Sequence, residues 1–175
     1  MRGGWGVCEG AVMKIVSMLA LSAGLVLAPV AQAQVSCQQV KTLVEAATED
    51  FDGIVGDVKD SDTVYNATYS LGNGSGCQIS YDVSATYSCS WVFDNAAAAT
   101  ANYSAQSHAL AACVSAWERS AIDAGPPAEG LTTLEGVSFF NTDEDDAELT
   151  WFAYVEEHND ADVHDWHVWV GLDYF

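Results

Sequence analysis

The chain has 175 residues, with five Lys and Arg against 25 Asp and Glu, and a formal net charge of −20 at neutral pH. Phosphate backbones and anionic headgroups are held by clustered basic side chains, so nucleic acid and anionic lipid surfaces are excluded as partners. Half of the residues are hydrophobic, which excludes intrinsic disorder and leaves a globular domain.

Lys14 precedes an apolar run from Ile15 to Val30, broken only by small residues and Pro29. The run falls short of the roughly 20 residues that span a bilayer. Ala31-Gln32-Ala33 follows it with the small-x-small pattern of a processing site. Residues 1–33 are therefore predicted to be a signal peptide, with translation starting at Met1 or at Met13. The mature chain, residues 34–175, is one domain in length. It holds 24 acidic residues against Lys41, Lys59 and Arg119, a net charge of −21. Gln34-Val35-Ser36 before Cys37 is no lipidation signal, so a periplasmic or secreted protein without a membrane anchor is expected.

Ser36 and Gln39 have the spacing of a capping box. Cys37, Val40, Leu43, Val44, Ala47 and Phe51 recur at helical spacing, predicting a first helix over 36–52. Strands are expected at Thr63–Ser70, Cys77–Val83 and Thr86–Phe93, the first two joined by the turn-forming run Leu71-Gly72-Asn73-Gly74-Ser75-Gly76. Asp94 is placed as the cap of an alanine-rich helix running to Gly125-Pro126-Pro127, with Tyr103, Leu110, Cys113, Val114, Trp117 and Ala121 facing inward. Gly136–Asn141, Leu149–Glu157 and Val163–Tyr174 read as three more strands. The pattern is that of an α+β two-layer domain, a mainly antiparallel sheet with two helices packed on one face, in the order α-β-β-β-α-β-β-β.

Cys8 leaves with the signal, and Cys37, Cys77, Cys89 and Cys113 remain. An even number in an exported chain reads as two disulfides. The spacing lacks the paired C-x₂-C ligands of a zinc site, and no redox C-x-x-C motif is present. Alternation and helical spacing turn all four thiols toward one interior. One antiparallel step on either side of the first strand puts the starts of helix one and of the second strand at one end. This favours Cys37–Cys77 with Cys89–Cys113, although the helix rise carries Cys113 well past Cys89. A hairpin bond Cys77–Cys89 with Cys37–Cys113 is the competing pattern.

In the last hairpin, a loop centred on Asp160 and Ala161 pairs Trp151 with Val170, Ala153 with Val168 and Val155 with Trp166. That apolar face belongs on the core. The opposite face, polar in an ordinary solvated sheet, carries Phe152 beside Trp169 and Tyr154 beside His167, then Glu156 and Asp165. Two readings follow. Either another segment, such as 124–140, folds over these rings, or cross-strand aromatic pairs stiffen the sheet; otherwise Phe152, Tyr154, His167 and Trp169 form a docking surface for a protein or ligand.

Residues 141–175 hold eleven acids and no Lys or Arg. Asn141, Asp143 and Asp145 alternate like the start of a calcium loop. Asp146, however, stands where an EF-hand needs glycine, and Glu148 comes too early. Asp143, Asp145 and Asp146 are thus candidate calcium ligands set against a plainer reading, an acidic surface suited to a saline medium. His158, His164 and His167 lie among Asp160, Asp162 and Asp165. Alternation sends His158 and His164 to opposite faces, and His164 and His167 likewise, so at most two histidines converge, too few for a tight zinc site.

Catalytic motifs are missing from the sequence. Ser75 is not the central residue of a nucleophile elbow and lies between two strands rather than at a strand-to-helix turn. His108 falls on the outward side of the second helix. Asn66, Asn73 and Asn102 begin glycosylation sequons, which matter only in a host that modifies them. The expectation is a small acidic exported module that binds through its aromatic sheet face and needs no cofactor. A cation-binding protein using its acidic loops is the alternative.

Overall fold

The computed structural model describes residues 33–122, 131–141, 148–160 and 162–175. Apart from Ala33, the expected signal segment lies outside the described residues. The elements are α1 (Cys37–Ala47), β1 (Val55–Ser61), β2 (Val64–Ala67), β3 (Ser75–Tyr81), β4 (Ala85–Phe93), α2 (Ala96–Cys113), β5 (Glu118–Ala121), β6 (Leu131–Phe140), β7 (Leu149–Asn159) and β8 (His164–Tyr174). The eight strands form one antiparallel sheet in the order β1-β2-β3-β4-β8-β7-β6-β5. Both helices pack on it, giving the expected α+β class with two further strands.

Period-2 alternation decides which face is which. Cys77 and Ile79 of β3, Tyr87, Cys89 and Trp91 of β4, Trp151, Ala153 and Val155 of β7, and Val168, Val170 and Leu172 of β8 are all buried. They form one core with Val40, Leu43 and Ala47 of α1 and Ala99, Tyr103 and Leu110 of α2. The capping box forms as read. Ser36 Oγ accepts from Gln39 N, and Gln39 Oε1 accepts from Ser36 N at 3.1 Å. The chain ahead of the helix is fastened too, since Val35 N donates to the buried Gln106 Oε1 at 2.9 Å.

α1 stops at Ala47, short of the expected residue 52. Phe51 still reaches the core, fully buried, with its ring 6.1 Å from that of Tyr87. It gets there through a left-handed turn, with φ of 52° at Asp50 and 60° at Phe51. Such backbone in a non-glycine residue costs of order 1–3 kcal/mol, an amount that burying a phenyl ring can offset.

β1 and β5 were not anticipated, and both are edges. β1 carries Asp57, Lys59 and Asp60 on an irregular ladder; it lacks apolar alternation because it is mostly exposed. β5 replaces the last part of the expected long helix. α2 begins after Asn95, whose side chain accepts from Ala98 N, rather than after Asp94, and it ends at Cys113. Pairing of Glu118–Ala121 with Val137–Phe140 overrides the local preference for helix. Charged residues on both edges discourage pairing with another sheet.

The disulfides are Cys37–Cys113 and Cys77–Cys89, which corrects the favoured pairing. The ends are as expected: Gln39 Nε2 donates to Ser70 O at 3.1 Å beside the turn into β3, and Tyr81 Oη at the far end of β3 donates to Asp50 O at 2.6 Å just past α1, so α1 and β3 start at the same end. The strand ladder, not the level along the sheet, decides the partners. Cys77 instead faces Cys89 across the β3–β4 ladder, between the pairs Ser75↔Ser90 and Gln78↔Ser88, with Cα atoms 4.0 Å apart. Nor do all four cysteines lie in one interior: Cys77 and Cys89 are buried, Cys113 is half-buried and Cys37 is exposed.

Candidate functional site

The β7–β8 hairpin turns one residue later than expected. Asp160 N donates to Val163 O at 2.9 Å and Val163 N to Asp160 O at 3.3 Å, closing the hairpin between these two residues. Every cross-strand partner therefore moves by two residues: Trp151 opposes Leu172, Ala153 opposes Val170 and Val155 opposes Val168. A shift of two keeps each side chain on its face, so the division into core and outer faces stands while the pairs change. On the outer face Phe152 opposes Gly171, Tyr154 opposes Trp169, Glu156 opposes His167 and His158 opposes Asp165.

These residues form a ladder of rings. Centroids are 5.8 Å apart from Phe152 to Tyr154, 6.5 Å from Tyr154 to Trp169, 6.0 Å from Trp169 to His167, and 3.9 Å from His167 to His158. The four candidate docking residues Phe152, Tyr154, His167 and Trp169 thus lie in one continuous patch, each half-buried. Small residues surround the rings: Gly136 and Ser138 on β6 oppose Tyr154 and Phe152, and Ser88 and Ser90 on β4 oppose Gly171 and Trp169. Ser88, Ser90 and Ser138 are buried although they lie on the outer face. Leu131–Phe140 does not fold over the rings, because it is β6 and lies in the plane of the sheet. Residues 123–130 lie outside the described residues.

Carboxylates flank both ends of the ladder. Asp173 accepts from Thr86 Oγ1 at 2.6 Å. Burial raises its pKa above the ordinary aspartate value, and the Thr86 hydrogen bond works against that rise. A raised folded-state pKa stabilises the fold at acid pH, and that contribution is lost as pH rises through the folded value. Asp173→Asn should therefore melt higher than the parent at pH 7, and its advantage should vanish below about pH 4, where Asp173 is protonated in both states; melting curves across pH check this. Burial also lifts the Tyr154 phenol well above its usual range, with Glu156 and Asp173 adding to the effect, so the patch contains a neutral, dehydrated hydroxyl.

At the turn end, Glu156 Oε1 accepts from Trp169 Nε1 at 2.7 Å and lies 2.9 Å from His158 Nε2. His167 Nε2 lies 3.2 Å, and His158 Nδ1 3.9 Å, from Asp165 Oδ1. Two histidines converge, as alternation requires, while His164 joins Glu157 and Trp166 on the other face. The sequence reading placed Glu156 and Asp165 on this face but missed their partnership with the imidazoles; i, i+2 spacing on two facing strands was the available signal. Asp143, Asp145 and Asp146 lie outside the described residues. His108 is exposed on α2, Asn66 and Asn73 are exposed, and Asn102 is buried in α2, out of reach of a glycan.

The chain matches no known protein-family model, no curated protein and no solved structure. Two disulfides place the fold with proteins of oxidising, non-cytoplasmic compartments. Among the described residues no helix is long and apolar enough to cross a membrane.

Proposed function

We propose that this protein is a periplasmic or secreted binding module, not an enzyme, which docks a partner bearing basic groups through the outer face of β7 and β8. One observation carries the reading: Phe152, Tyr154, Trp169 and His167 form a continuous, partly exposed ring surface on an antiparallel pair, edged by Glu156, Asp165 and Asp173. Ring faces beside carboxylates attract Lys and Arg side chains by cation–π contact and by charge. A chain at −20 adds long-range steering toward a basic partner.

The test is titration with Lys- and Arg-rich peptides, followed by amide shifts in the NMR spectrum. Perturbations should concentrate at residues 152–158 and 165–171 and weaken as salt is raised. Phe152→Ser with Trp169→Ser should abolish them while both disulfides and the far-UV spectrum persist. Binding untouched by the two substitutions, or perturbations confined to other surfaces, would count against the reading. The acidic-loop alternative predicts instead a response to calcium that Asp143→Asn, Asp145→Asn and Asp146→Asn remove.

A further inference from the structure

We propose that His158 Nδ1, Asp165 Oδ1 and His167 Nε2 form a site for a divalent transition-metal ion of the zinc class. The inference does not depend on the docking reading; it rests on hydrogen-bond accounting at the turn end of the outer face.

A carboxylate oxygen can only accept, so Glu156 Oε1, 2.9 Å from His158 Nε2, receives that nitrogen's proton. The tautomer is then set. In neutral His158 the proton sits on Nε2, and Nδ1 presents a lone pair toward Asp165 Oδ1, 3.9 Å away. Acceptor faces acceptor, an arrangement that either a second proton on the imidazole or a metal ion between the two relieves. Asp165 Oδ1 is buried and has no hydrogen bond, although His167 Nε2 lies 3.2 Å from it. His167 Nδ1 is buried without a hydrogen-bond partner as well.

One ligand atom from each of His158, Asp165 and His167 lies within 4.8 Å of the other two. Zinc bonds of about 2.0–2.1 Å in a tetrahedral site place donors roughly 3.4 Å apart, so the three groups are near enough to close on an ion once the imidazoles reorient about their side-chain torsions. The His158 and His167 rings are stacked, with centroids 3.9 Å apart and planes 7° from parallel, so they must tilt apart for both in-plane lone pairs to meet one ion. Exposures of 14–26% at Glu156, His158, Asp165 and His167 dehydrate the cluster while leaving an ion a way in. An outer layer is built too. The chain Trp169 Nε1–H to Glu156 to His158 Nε2–H is the carboxylate–histidine relay that orients metal-bound imidazoles and raises their basicity. Two imidazoles and one carboxylate suit zinc and its neighbours rather than calcium, which prefers six to eight oxygens. Three protein ligands leave a fourth position open toward solvent.

The experiment is a zinc titration of the full chain with both disulfides formed, using Co²⁺ as a spectroscopic substitute. One ion should bind at micromolar or lower concentration, with a tetrahedral Co²⁺ absorption band and shifts in the His158 and His167 ring resonances. Millimolar calcium should not displace it. His158→Asn with His167→Asn should weaken binding at least 100-fold, and Glu156→Gln about tenfold through the outer layer. The assignment is overturned by absence of binding below millimolar zinc, by displacement with calcium, or by affinity unchanged in the double variant. Should that variant fail to fold, the ring resonances of the parent decide, since zinc that leaves them unmoved is bound elsewhere.

Discussion

Replacing Cys37 and Cys113 together by alanine should lower the unfolding free energy by about 4.5 kcal/mol, against about 3 kcal/mol for Cys77 with Cys89, because the bonds close sequence separations of 76 and 12 residues. In the chain-entropy account a cross-link stabilises by denying conformations to the unfolded state, and the longer loop denies more. The first bond joins the first residue of α1 to the last residue of α2, so its loop holds β1 to β4 as well as both helices. Burial complicates the comparison. Cys89 is fully enclosed and its sulfur accepts from Leu71 N at 3.4 Å, so its removal also leaves a small void. That term narrows the difference without reversing it. Urea unfolding of the three proteins measures both losses. A larger loss for the short bond would show that local packing, not loop closure, governs these disulfides.

Gly171→Ala should be the most damaging methyl addition in the sheet, costing on the order of 3 kcal/mol. A Cβ at this position would lie 2.3 Å from Phe152 Cζ and 2.4 Å from the Tyr87 carbonyl oxygen. The ring can swing aside, but the carbonyl belongs to the β4–β8 ladder at the middle of the sheet and cannot. The double variant Gly171→Ala with Phe152→Ala should therefore recover only part of the loss, whereas a clash with the ring alone would give full recovery. Denaturant midpoints of the two single variants and the double variant form the cycle that separates the two contacts. Gly171 in turn explains Phe152, whose ring occupies the space of a missing side chain on the facing strand.

Most of the architecture was legible because burial writes itself into periodicity. The faces of β3, β4, β7 and β8 followed from alternation, the start of α1 from Ser36 and Gln39, and the helix-on-sheet class from element order. What escaped notice was set by distant partners. Val55–Ser61 is an exposed, charged edge with no apolar rhythm, and Glu118–Ala121 is a strand only because β6 lies beside it. The disulfide prediction rested on α1 and β3 starting at one end, which they do, but it gave too little weight to Cys77 lying opposite Cys89 on the β3–β4 ladder. At the outer face the four ring residues were found by alternation, and a hairpin turn misplaced by one residue changed their partners without changing their side. The His158–Asp165 pair needed the true register, which depends on where the backbone of Asp160 and Val163 closes.

The strand order carries a consequence for how the molecule comes into being. β1 to β4 form one meander and β5 to β8 another, each built from neighbours along the chain, and the halves meet through β4 and β8 alone. β8 is thus a central strand, yet it is synthesised after all seven others. Until residue 174 is made, β4 and β7 each expose an unpaired edge, and the apolar row Val168, Val170 and Leu172 is missing from beneath the helices. The native core can be reached only once the whole sheet-forming sequence is free at the same time, so a partly delivered chain stays open, and closure of the sheet is a single late event.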